Sequence, residues 1–142
     1  MTRYDDLISA SSLLKEQALE RHRERVRARQ DIEAELAQID QLRAAAQADG
    51  GSLGARQILG ADALWQGWLV RRRTEVLRQM AMARARELES LDRARNAFAR
   101  EEAARTLQED DQRARMRKQR SAEADALDDL SLLRRALAAR DF

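Results

Sequence analysis

The 142-residue sequence contains no proline and no cysteine, and aromatic residues make up only 4% of it. Without proline, no long segment is barred from a helix by a pyrrolidine ring or a missing N–H. Without cysteine, disulfides, thiolate metal ligands and thiol nucleophiles are excluded, which fits a reducing compartment. Strand formers are few: three valines, four isoleucines and one tyrosine. A thick core cannot be built from this supply, but a narrow seam between helices can. No apolar stretch approaches the roughly 20 residues needed to span a bilayer. The opening "MTRYDDLISASSLL" lacks a basic flank followed by an apolar run, so no secretory signal is read. The expected location is the cytoplasm.

An excess of one charge is missing too. Lysine and arginine number 27 against 25 acidic residues, for a net charge of +2. The two signs are interleaved at helical spacings, the pattern of a solvated, ion-pair-laced helix surface rather than a nucleic-acid-binding stripe. One basic cluster stands out, Arg113, Arg115, Arg117, Lys118 and Arg120, with Glu109, Asp110, Asp111 and Glu123 beside it. It reads either as a solvated helix end or as a surface for an acidic protein, with Arg113 and Arg117 as the contacts. Nucleic acid is not an expected partner.

Glycine is scarce, and its five copies all fall in "ADGGSLGARQILGADALWQGWL" (48–69), together with both tryptophans. The rest is dominated by alanine, leucine, arginine, glutamate and glutamine, the composition of long helices and coiled coils. The expected fold is therefore all-α: a long antiparallel two-helix coiled-coil hairpin with a C-terminal helical extension, forming a single domain. Helix one is expected over about 5–48, with Thr2 and Asp5 as a capping box and a length of roughly 65 Å. A loop over 49–61 follows, opened by Asp49, Gly50 and Gly51. Helix two, capped by Asp62, spans about 62–107. Residues 108–125 form a polar extension, read as a bare helix or a linker. A leucine-bearing helix closes the chain over 126–140, with Leu127, Leu130, Leu133 and Leu137 on one face that must be buried somewhere.

Seven-residue spacing returns to nearly the same helix face. In helix one it links Leu7 to Leu14, Leu19 to Val26, and Ile32 to Ile39 and Ala46. These series are out of phase, so the expected seam stutters. In helix two the steps of four and three through Leu77, Ala81, Arg84, Leu88, Leu91, Arg95 and Phe98 predict a heptad seam with arginine intrusions. Folding the chain about residue 55 sets Leu14 near Phe98, Leu19 near Leu91 and Ile32 near Leu77. Apolar positions then meet apolar positions.

No catalytic constellation is present. The single histidine, His22, has alanine at position 18 and valine at 26, so no carboxylate stands one turn away to share a metal. Gly50, Gly51 and Gly54 lack the lysine and hydroxyl of a phosphate-binding loop. Neither a cofactor nor a metal is expected, and the chain is read as a non-enzyme. Its candidate contacts are Trp65, Trp68 and Leu69, with Arg72 and Arg73 adjoining, because arginine beside indole is typical of protein-binding hot spots. The alternative role for the tryptophans is structural, as a cover over Ile39, Leu42, Ile58 and Leu59.

The stretch "LWQGWLVRRRTEVL" (64–77), following a glycine-bearing loop between two long helices, resembles the FliJ family of flagellar type III export; injectisome stalk proteins are similar. Family members carry an aromatic, two polar residues, then an aromatic and an aliphatic, matched here by Trp65, Trp68 and Leu69. They continue with an aliphatic residue one turn on, where this chain has Arg72. The resemblance implies a coiled-coil stalk whose terminal end, here with Leu130 and Leu137, enters the pore of an export ATPase ring. It also implies contacts with the cytoplasmic domain of the export gate and with export chaperones, at the periphery of a membrane-bound apparatus and without membrane insertion. The competing readings are a generic cytosolic coiled-coil scaffold or dimerising adaptor and, ranked below it, a nucleic-acid-associated helical protein using residues 112–120.

Overall fold

The structure is a computed structural model that describes residues 3–48 and 61–141. Helix α1 spans Arg3–Ala48 and helix α2 spans Ala61–Arg140; the two pack against each other as an all-α hairpin, and no strand occurs among the described residues. The Thr2 cap, the loop and its four glycines, and Leu53, Ile58 and Leu59 lie outside the described residues. The chain divides into two units, Leu13–Phe98 and Met1–Ser12 with Ala99–Phe142.

In the unit Leu13–Phe98, the inward positions of α1 alternate strictly by three and four: Lys15, Ala18, His22, Arg25, Arg29, Ile32, Leu36, Ile39, Arg43 and Ala46 are all buried or half-buried. No stutter interrupts this series. The apparent phase changes arise because the large apolar residues leave the seam. Ile32, Ile39 and Ala46 are in it, Leu19 and Val26 border it, and Leu14 is exposed. Polar side chains fill the vacated layers.

Helix α2 answers with Leu69, Arg73, Val76, Met80, Ala83, Glu87, Ser90, Ala94 and Ala97, again in steps of four and three and again buried or half-buried. Each member of the stripe expected from the sequence, Leu77 through Phe98, lies one residue later than a true seam position. One residue is about 100° of helix rotation, so that stripe runs along the flank. Leu77, Leu88 and Phe98 are accordingly exposed, at 41%, 64% and 47%. Alanine and serine occupy the buried line of α2, and the larger side chains lie to its side.

The register is also corrected. Folding about residue 55 would set Lys15 opposite 95, His22 opposite 88 and Asp40 opposite 70. Instead, the Lys15 ammonium lies 5.3 Å from the Phe98 ring centre, His22 bonds to Ser90, and Asp40 meets Arg73. The true offset is about three residues, close to one helical turn, and Leu14–Phe98 and Ile32–Leu77 are not the facing pairs. The buried apolar cluster is Ile39 with Leu69 and Val76, flanked by Ile32 and Leu36. Burying such a side chain contributes about 1.5–3 kcal/mol.

In the other unit, the seam holds Tyr4, Ile8 and Ser11 on α1 with Glu101, Ala104, Gln108 and Asp111 on α2, all buried or half-buried. The Gln108 amide donates to Asp5 at 2.6 Å. Arg105 donates twice to one oxygen of the buried Glu101 carboxylate, at 3.0 and 2.8 Å. Beyond Asp111 every described residue is exposed, and α2 continues as one helix through 108–125 and 126–140 to Arg140. Pairs one turn apart support this bare stretch, among them Arg115 with Asp111 and Gln119 with Glu123.

Candidate partner-binding surfaces

Three regions hold the residues that the sequence singles out. The first is the opening of α2. A tryptophan pair three residues apart lies along one helix flank, and here the indoles stack on each other, with ring centres 5.3 Å apart and planes 9° from parallel. Both remain about half exposed, at 44% and 47%, and Leu64 beside them is 72% exposed. Stacking fixes the rings without hiding them, so two large apolar faces are presented in a preset geometry.

Leu69 behaves otherwise. It is fully buried against Ile39 and Val76, so it is a seam residue and not part of the exposed patch. Arg72 and Arg73 also face the neighbouring helix. Arg72 donates from Nε to Oε1 of Glu35 at 2.9 Å, and its Nη2 reaches the same oxygen. Arg73 Nε donates to Asp40 at 2.8 Å. Both arginines pin α1 beside the tryptophans; of the three, Arg71 is exposed and Arg72 and Arg73 are half-buried. Glu35 and Asp40 were not singled out from the sequence. Nothing in the spacing of one acidic residue among many marks it as the partner of an arginine more than thirty positions away.

The second region is the polar middle of the seam. Arg29 donates from Nε to Glu87 across the seam and lies 2.8 Å from Glu33 on its own helix, while Arg84 reaches Glu33 at 3.8 Å. The hydrogen bonds to Glu87 and then Glu33 hold the Arg29 guanidinium above its ordinary pKa. One layer away, Ser90 Oγ donates to the Glu87 carbonyl at 2.8 Å. A hydroxyl has one proton, so the 2.9 Å contact with His22 requires that His22 Nδ1 donate to Ser90. These layers tie α1 to α2 at one register, since a slip by a turn strands Arg29 opposite Ala83 or Ser90. Beside them lies a cavity of about 270 Å³ between Ala28, Ile32, Met82 and Ala83, rimmed by Arg25 and Arg86. Among the described residues, no group of three or more potential metal ligands gathers.

The third region is the bare end of α2. Arg113 lies 4.0 Å from Glu109 and 3.9 Å from Asp110, and Arg117 is exposed on the next turn. Leu127, Leu130, Leu133 and Leu137 are 57–67% exposed. Nothing among the described residues covers them. No described helix is long and apolar enough to cross a membrane. No protein-family model, curated protein or solved structure matches this chain.

Proposed function

We propose that this chain is a non-enzymatic stalk of a flagellar or related type III export apparatus, a cytoplasmic accessory whose ATP chemistry is done by its partner. What supports the reading is the placement of the two unpaired surfaces: a stacked, half-exposed tryptophan pair opens α2, and an exposed leucine-bearing end closes it. In this reading Leu130 and Leu137, with Arg113 and Arg117, meet the export ATPase ring. Trp65 and Trp68 meet the export gate or its chaperones. Arg72 and Arg73 act indirectly, by holding the helix that carries the indoles. A helix whose outward face alternates charges slides within a pore without adhering, because exposed ion pairs contribute little net attraction.

The test is the hydrolysis rate of the host's export ATPase, alone and with the full chain, a Trp68→Ala variant, or a chain ending after Gln112. Stimulation that survives Trp68→Ala and disappears on shortening is the expected result. No stimulation by a chain shown to be helical by circular dichroism overturns the stalk reading. The exposed flank of α2 favours a second reading, a coiled-coil scaffold, because a seam-like apolar stripe lies beside the seam in use.

A further inference from the structure

Helix α2 carries two heptad series side by side. One, Leu69 through Ala97, is consumed by α1. The other, Leu77, Ala81, Arg84, Leu88, Leu91, Arg95 and Phe98, has the same steps of four and three, holds larger apolar side chains, and faces outward. Only Leu91 of the seven is half-buried. A helix with two adjoining seams is the pattern of a bundle, in which each helix touches two neighbours. The period of the free series further specifies its occupant, because a seven-residue apolar repeat matches another helix laid along it.

We propose that this free seam is a homodimer interface, in which α2 of a second copy packs antiparallel along the first. The series is self-complementary when reversed. With Leu88 on the two-fold axis, Ala81 stands opposite Arg95 of the other copy and leaves room for it, and Leu77 falls against Phe98 and Ala99. Arg84 falls against Leu91 and Asp92 of the second copy. Among the described residues Arg84 has only the 3.8 Å contact with Glu33, and Asp92 only a 4.0 Å contact with Arg95. Both charges are therefore available for a cross-copy pair. An isologous two-fold contact requires this kind of reciprocal match. A parallel arrangement instead sets Arg84 on Arg84 and Arg95 on Arg95. Leu19 and Val26 widen the apolar strip: they share the heptad position of Glu33, which meets Arg84, and both are half-buried. The dimer leaves the α1–α2 seam intact and requires no export apparatus, so it stands or falls apart from the stalk reading.

The test uses the purified full chain. Sedimentation equilibrium should give a reversible species at twice the 16.3 kDa chain mass. Leu88→Arg should weaken association at least tenfold while leaving helix content and the unfolding midpoint of the dilute chain unchanged. The absence of cysteine makes orientation readable. Leu88→Cys should cross-link to itself under mild oxidation, and a mixture of Leu77→Cys and Phe98→Cys chains should cross-link to each other. A chain monomeric at every concentration, or a dimer indifferent to Leu88→Arg, overturns the proposal. So does self-cross-linking of Leu77→Cys matching that of Leu88→Cys, which identifies a parallel pair.

Discussion

Replacing Leu69 by alanine is the most direct measure of where the seam runs, and Leu14→Ala is its control. The two changes are chemically identical and sit in helices, so intrinsic propensity cancels to within a few tenths of a kcal/mol. Leu69 is fully buried among Ile39 and Val76, whereas Leu14 is 53% exposed. Truncating a buried leucine costs about 2–5 kcal/mol, the spread reflecting how far the site collapses. A two-helix seam is open at its sides and relaxes readily, so Leu69→Ala should cost about 2–3 kcal/mol, at the low end. Leu14 loses roughly half of its transfer free energy and opens no enclosed cavity, so Leu14→Ala should cost no more than about 1 kcal/mol. Urea unfolding of dilute protein, followed by circular dichroism at 222 nm, reads both, provided that the slope with denaturant is unchanged. Equal costs, or a larger cost at Leu14, would refute the placement of the seam.

Three further outcomes follow from the same contacts. Gly67 lies inside α2 with open space where a Cβ would stand, so Gly67→Ala should raise stability by about 0.5–1 kcal/mol in the same urea assay. Glu87→Gln removes the carboxylate that Arg29 meets across the seam while Glu33 still holds Arg29; the expected loss is about 1 kcal/mol, and it should shrink when the melts are repeated in 1 M salt. The double change Leu130→Ala and Leu137→Ala touches only exposed side chains and should leave the unfolding midpoint unmoved, while any ring-stimulating activity falls.

Much of the architecture was written in composition and punctuation. Proline is absent and four of the five glycines stand within residues 50–60, so the backbone is free to continue as helix on either side of one break. That helix one should run to Ala48 and helix two open near Asp62 follows from local chemistry, because caps and breakers act over three or four residues. The tryptophans' position at the opening of α2 was legible for the same reason. Which face of α2 meets α1 was not. Size and hydrophobicity favour Leu77, Leu88 and Phe98, yet the seam took Ala83, Ser90 and Ala94, one residue earlier in each turn. Close approach of two helices rewards small residues on the line of contact, and a sequence pattern weighted by side-chain bulk points to the neighbouring line. The roles of Arg72, Arg73, Glu35 and Asp40, and the His22–Ser90 and Arg29–Glu87 layers, were likewise decided only when the helices came together. A charged residue has many candidate partners along a chain and one in a register, and register is a property of the packed pair, not of either helix alone.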